Sequence, residues 1–415
     1  MAIRRMMSRV YRFNVETHFV TPSVLRIVRQ EKRHVVALIV GGGGMNTLGD
    51  LASRRNNNFN LIRMLAATAV LISHSYPLAL GSSAVEPLSS WLGISLGELA
   101  VITFFCVSGF FISLSRDRAP TGLDFFAARF LRIYPGLTLV LVLCVFVLGP
   151  IFTTLGTVEY FRSGAIYSYL SNNLMLFSMK FQLPGVFQDN PWPGINGSLW
   201  TLFYEVTLYV LVGALGAFAF YARGPRFAGF LLVYAVAYVG FKYLLAHTTL
   251  VSEMHRAQFL FTWSLPFVIG MALYRYRAHV QHRLLWLLPL AALAAGTYGT
   301  PWFYECFVLA WSWLIFYLGF ATNSFVDRYN QLGDYSYGVY IYAFPVQEIL
   351  AHELKGVGPI SMMLLAFPIV LILAMFSWHF VEKPAMARRH AFAAYLNGRL
   401  NGLKAYWVGL RKGAV

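Results

Sequence analysis

Residues 60–80 read NLIRMLAATAVLISHSYPLAL, an apolar run that carries one arginine, Arg63, and one histidine, His74. A run of this length matches the ~20 residues needed to cross a bilayer. Ionisable groups at membrane depth are costly, so their presence marks a functional site by default. At 1.5 Å rise per residue, Arg63 and His74 lie about 16 Å apart along one helix. Arg63 then sits near a membrane face and His74 near the bilayer middle. The chain reads as a polytopic membrane protein with chemistry inside the membrane.

Composition leads to the same class. The chain is 58% hydrophobic and 12% charged, about half the ~25% charge of a soluble domain. Its 35 Phe, 24 Tyr and 10 Trp suit a lipid-facing surface with aromatic belts at both interfaces. An all-α bundle of ten transmembrane helices follows, with spans at 61–81, 99–115, 135–153, 200–221, 227–246, 258–275, 284–299, 303–320, 335–351 and 360–381. Residues 166–179 are apolar but short and studded with polar groups, so they read as an interfacial or re-entrant segment. The glycine-, proline- and aromatic-rich stretch 154–199 is the longest between spans and would form a lid or floor over an outward-facing site.

A net charge of +16 in a soluble protein would point to nucleic acid. Here topology explains it. With ten spans and both termini cytoplasmic, all but five of the 33 Lys and Arg fall on the inner side, the exceptions being Arg162, Lys180, Lys242, Arg256 and Lys355. That is the positive-inside bias, and no nucleic-acid partner is expected. Some of the excess charge would also meet anionic headgroups of the lipid bilayer or a phosphorylated ligand. The three cysteines, Cys106, Cys144 and Cys306, all fall in spans without metal-ligand spacing, so no metal site or disulfide framework is expected.

Three domains are drawn. Residues 1–44 form a basic extension with eight Lys/Arg and only a short apolar run at 35–40, followed by four glycines. This reads either as a misread start upstream of Met45 or as a basic surface-binding arm, the misread start being preferred. Residues 45–384 are the membrane domain and 385–415 a basic cytoplasmic tail. No internal repeat of the kind found in many transporters is visible.

Arg129 and Arg132, three residues apart in FFAARFLRIYPGL, share one helix face just before the third span. Guanidinium suits two-point contacts to phosphate, while positive-inside anchoring explains such a pair equally well. Glu205, in NGSLWTLFYEVTLYV, is costly within a span unless paired. It would orient His74, pair with an arginine, or sit protonated and hydrogen-bonded. His74 is the natural general base, the alternative being a buried histidine satisfied by backbone or by Ser73 and Ser75. Tyr335, Ser336, Tyr337 and Tyr340 would line a polar cavity or simply pack. Glu382-Lys383-Pro384 reads as a helix terminator, with His379 paired to Glu382.

Taken in order, Arg63-x10-His74, CVSGFFIS (106–113), RFLRIYP (129–135), NGSLWTLFYE (196–205), DYSYGVYIY (334–342) and WHFVEKP (378–384) resemble the acyltransferase 3 family of integral membrane O-acyltransferases. The resemblance covers residues 45–384. It implies a bacterial inner-membrane enzyme that transfers an acyl group, commonly acetyl from acetyl-CoA, to a hydroxyl of a carbohydrate or lipid-linked glycan acceptor in the cell envelope. It implies acyl-CoA as co-substrate and no bound cofactor, with Arg63, His74, Arg129 and Arg132 in the functional centre. Two departures stand out. Many members carry a histidine after the SYxxY segment, where this chain has Ala343. Some members also carry a C-terminal hydrolase-like domain, where this sequence has a basic tail, so it is expected to act alone or with a separate partner.

The expected mechanism docks acyl-CoA phosphates on Arg129 and Arg132, with Arg63 as a third cation. His74 then deprotonates an acceptor hydroxyl entering from the outer side under 154–199. Rival readings are a transporter or flippase and a non-catalytic partner of envelope-glycan assembly. The topology is directly testable. Reporter fusions after Arg118, Arg226, Arg277 and Val415 should read cytoplasmic, and fusions near Gly185 and His255 external. A cytoplasmic reading at Gly185 would break the ten-span arrangement.

Overall fold

A computed structural model describes residues 46–54, 56–81, 86–217, 224–247, 254–321 and 329–412. The extension 1–44 lies outside them. The chain is an all-α membrane bundle of α1 (Leu48–Ser53), α2 (Phe59–Leu80), α3 (Leu96–Arg118), α4 (Gly122–Phe152), α5 (Thr157–Arg162), α6 (Gly164–Met175), α7 (Ser198–Ala217), α8 (Gly224–His247), α9 (His255–Arg275), α10 (Leu284–Gly296), α11 (Phe303–Phe320), α12 (Ser336–Glu353), α13 (Pro359–Ala387) and α14 (Arg389–Lys412). Among the described residues there is no strand, only isolated bridges at Thr47–Gln281 and Thr153–Val186.

Each of the ten expected spans coincides with a helix, and eight of those are long and apolar enough to cross a membrane. The other two are α10, which is short, and α12. Gln347 and Glu348 stand in α12, which is buried along most of its length. It therefore reads as a core helix with lipid-facing helices around it.

Two expected boundaries are corrected. The helix that carries the third span begins before 135. Thr121 caps a helix that starts at Gly122 and continues through Pro135 to Phe152, so Arg129 and Arg132 lie inside it. A π turn over Cys144–Leu148 interrupts this helix. Tyr160 Oη donates to the Val145 carbonyl at 2.9 Å, satisfying a backbone acceptor of the kind such turns expose. Gly149 leaves room for that hydroxyl, since a Cβ there would lie 1.9 Å from it. Nor does Glu382-Lys383-Pro384 end a helix: α13 passes through a second π turn, Trp378–Glu382, and runs on to Ala387. Proline at the start of the new turn costs little, because the widened turn has already displaced the hydrogen bond it would break.

Close backbone contact holds the centre together. Gly109 of α3 faces the Phe267 carbonyl of α9, and Gly270 of α9 faces the Cys106 carbonyl of α3. A Cβ would lie 2.0 Å from the first oxygen and 2.1 Å from the second. Small residues at crossings let membrane helices approach this way when lipid offers no hydrophobic drive. On the other side of the bundle, Gly338 of α12 meets Ala374 of α13.

The 154–199 segment is tied down firmly. Thr154 N donates to the Gly185 carbonyl at 3.0 Å and Asn190 Nδ2 to the Glu348 carbonyl at 2.9 Å. Its α6 has 12 residues, too few to cross a bilayer. Beyond α13, α14 packs on α4 through the stacked rings of Phe130 and Phe392, 5.8 Å apart.

These contacts predict that Gly270→Leu loses folded protein, as overpacking against backbone costs about 1–3 kcal/mol or more. Gly240→Ala, where a Cβ meets open space, should be neutral or slightly stabilising. Thermal melts of detergent-solubilised protein followed by gel filtration separate the two.

Candidate active site

α2, α3, α4, α7 and α12 enclose a cavity of about 480 Å³. One end is basic: Arg63, Arg129, Arg132 and Arg389 line it together with Asp334. Glu205 and Tyr209 stand on its wall, and Thr201, Phe104 and Tyr340 line it towards the start of α7. Tyr340 Oη contacts Thr201 Oγ1 at 2.5 Å and donates to the Ser198 carbonyl at 2.7 Å. The Phe104 ring meets it edge-on at 6.0 Å.

The basic end is organised by two carboxylates. Asp334 Oδ2 lies 2.7 Å from both Arg63 Nη1 and Arg132 Nη2. Glu382 Oε2 lies 3.0 Å from Arg132 Nη1. Ser336 donates to Asp334 Oδ1 at 2.6 Å and Ser377 to Glu382 Oε1 at 2.8 Å. The Arg132 guanidinium also lies over the Tyr337 and Trp378 rings, at 5.4 and 5.7 Å. Burial works to raise the Asp334 carboxyl, but the Arg132 and Arg63 guanidiniums and Ser336 outweigh it and hold it down at about 2. Asp334 therefore stays ionised at any physiological pH.

The two arginines of the Arg-x-x-Arg pair thus differ. Arg132 is held by two carboxylates. Arg129 has no ion pair among the described residues: its Nη2 reaches Ser115 Oγ at 3.4 Å and its buried Nε has no partner. An incoming anion would find Arg129 and the exposed Arg389, neither held by a carboxylate among the described residues, as available guanidiniums in the cavity wall.

The other expected residues separate. Ser336, Tyr337 and Tyr340 line the cavity, whereas Tyr335 does not; its hydroxyl donates to the Leu332 carbonyl at 2.8 Å and lies 3.1 Å from His379 Nε2. His379 therefore meets Tyr335 and not Glu382, whose carboxylate is fully buried on Arg132 and Ser377. Glu205 accepts from the Tyr209 hydroxyl and makes no contact with His74.

His74 stands outside this cavity. It packs edge-to-face on Phe344, 5.4 Å between centroids, and Phe344 is one turn beyond Tyr340 on α12. Neither flanking serine bonds its imidazole. Ser73 Oγ is engaged by the Glu86 carboxylate and the Gly97 amide, and Ser75 Oγ by Leu71 and Gln347. His74 Nδ1 is enclosed without a hydrogen-bond partner. The geometry is a basic cavity at one end of α2 and an imidazole with an unsatisfied nitrogen near the other.

Sequence reasoning passed over Asp334 and Arg389 and read Glu382 as architecture. A signal for both acids was present. Arginines within or beside apolar spans call for counter-charges, and Asp334 and Glu382 are acids inside the DYSYGVYIY and WHFVEKP motifs.

Comparison with known proteins agrees in extent with this core. The family described as acyltransferase domain matches residues 56–379. The O-acetyl transferase of Shigella phage Sf6 is 32% identical over 347 residues, covering 80% of this chain and 97% of that protein. Nodulation protein 10 of Rhizobium leguminosarum bv. viciae is 27% identical over 382 residues, covering 84% and 98%. No solved structure matches the chain. The matched segment runs from the residues before α2 to the π turn of α13 and takes in His74, Arg63, Arg129, Arg132 and Asp334, while Glu382 and Arg389 follow it; the chain belongs to the acyltransferase 3 family and is a membrane acyltransferase.

Proposed function

We propose that the enzyme transfers an acetyl group from acetyl-CoA, bound at the cytoplasmic face, to a hydroxyl of a cell-envelope carbohydrate at the outer face of a bacterial inner membrane. The protein would cross that membrane ten times with both termini inside. The observation that carries this reading is Arg129, a guanidinium without a carboxylate partner on the wall of a cavity large enough for an extended donor arm. The name of the phage relative, O-acetyl transferase, supports acetyl as the group and a hydroxyl as its acceptor.

In this reading Arg129 takes the donor phosphates in a planar two-point contact, with Arg63 and Arg389 adding positive field. Arg132 holds the walls together through Asp334 and Glu382. The pantetheine arm lies along the cavity past Glu205 towards Tyr340, so the thioester points at the turn of α2 that bears His74. His74 takes the proton of the acceptor hydroxyl as its oxygen attacks the thioester carbonyl. A C–O bond forms, the C–S bond breaks, and the thiolate leaves to be protonated as free CoA. Passage past Tyr340 requires its ring to swing aside.

Donor recognition and architecture separate by mutation. Arg129→Ala should raise the KM for acetyl-CoA with normal membrane levels, and Arg129→Lys should rescue only partly because an ammonium lacks the planar fork. Arg132→Ala should instead lower the amount of folded protein, since removing one partner of a buried pair costs about 3–5 kcal/mol. Asp334→Asn should do the same, as it strands Arg63 and leaves Arg132 with Glu382 alone. Equal effects of Arg129→Ala and Arg132→Ala on protein level would remove this division.

The base is tested by His74→Ala and His74→Gln in well-inserted protein. Loss of a general base costs about 10²–10⁴ in rate, and glutamine should not rescue because it cannot take the proton. Near-normal acetyl transfer by His74→Gln would remove His74 as the base and with it the centre of this mechanism.

A further inference from the structure

Past Phe344 from His74, where Trp192 packs on that ring, the 154–199 segment carries a second recess, a groove of about 520 Å³ lined by Met179, Lys180, Phe181, Gln182, Trp192 and Pro193. Ligand clefts commonly measure ~300–1,000 Å³. We infer that this groove is the acceptor subsite and that it takes a carbohydrate ring on the face of Trp192. The assignment rests on the acyltransferase reading above and specifies where its acceptor sits.

The groove is built in advance. Its two walls, 179–182 and 192–195, are joined by Ile195 N donating to the Phe181 carbonyl at 2.7 Å and Gln182 Nε2 donating to the Pro193 carbonyl at 3.0 Å. Fully buried Asn173 clamps Lys180 through both backbone groups, at 2.9 and 3.1 Å. Trp192 is fixed from several sides. A Cβ on Gly194 would lie 2.1 Å from its ring and one on Gly197 3.1 Å, so both glycines are spaces the indole needs. Phe181 meets the indole at 6.3 Å and 61°, giving an aromatic corner.

The chemistry of that corner suits a sugar. The ring C–H groups on one face of a pyranose carry partial positive charge and are attracted to the negative face of an aromatic system. The exposed side chains of Lys180 and Gln182 supply donors for hydroxyl groups. Position is the second argument. Trp192 packs on Phe344 at 4.9 Å, and Phe344 packs on His74 at 5.4 Å, both edge-to-face. The Trp192 indole that would hold the ring is thus one phenyl group away from the imidazole.

The test uses the full chain in detergent with radiolabelled acetyl-CoA and the envelope polysaccharide of the native host as acceptor, alongside direct binding of that polysaccharide to immobilised protein. Trp192→Ala should raise the acceptor KM about tenfold and weaken polysaccharide binding in parallel, leaving the KM for acetyl-CoA unchanged. Trp192→Phe should restore most of both, and Gln182→Ala should raise the acceptor KM about fivefold, the loss of one hydrogen bond. An unchanged acceptor KM in Trp192→Ala would overturn the assignment. So would a matching rise in the acetyl-CoA KM, or a fall in protein level that Trp192→Phe does not repair, because either marks a structural role. If the unaltered chain binds polysaccharide through Trp192 but transfers no acetyl group, the groove stands and the donor reading fails. If it binds none, the groove fails by itself.

Discussion

The chain of charges Arg63–Asp334–Arg132–Glu382 is the constraint on which the rest of this bundle depends. It joins α2, the lead-in to α12, α4 and α13 at one end of the molecule. At an effective dielectric of 20, a pair at 2.7 Å gains about 6 kcal/mol. Removing each ion from water costs several kcal/mol, so the net contribution to stability is small. What the chain supplies is specificity. Only one register of the four elements satisfies all four charges, and every other register leaves an arginine or a carboxylate alone in a medium that does not tolerate it.

That register determines the site. With Arg132 committed to carboxylates, Arg129 one turn away faces the cavity with spare hydrogen-bonding capacity. Had the two been equivalent, neither would stand out as a partner for an anion. The same ion chain sets the height of α12, and with it Tyr340 at the cavity end and Phe344 one turn beyond. His74 takes its place against Phe344 because α2 is tied to the same cluster through Arg63.

The bundle also shows how a membrane protein builds rigidity without a hydrophobic drive between helices. Gly109 and Gly270 bring α3 and α9 into backbone contact, and Gly338 does so for α12 against α13. At the π turns the backbone widens where Tyr160 and Glu382 stand. In the second turn this swings the Glu382 carboxylate inward to Arg132. A regular α-helix stopped by its proline would have left that carboxylate at the surface.

Sequence alone determined the class, the long apolar helices and the family. Hydrophobic length, charge bias and motif order are local properties, and a bilayer makes them decisive because it permits few folds. It also singled out Arg63, His74, Arg129 and Arg132, since charge and histidine are conspicuous in apolar runs. The tertiary structure decided what depends on partners across the chain. Asp334 meets Arg63 and Arg132 over separations of 271 and 202 residues, and Glu382 meets Arg132 over 250. No periodicity encodes such pairings. Whether an arginine is occupied or available, whether a carboxylate orients a histidine or a tyrosine, and whether a proline ends a helix or follows a widened turn are settled only when distant segments pack. The physical reason is the cost of an unpaired charge in low dielectric, which acts on the folded arrangement as a whole.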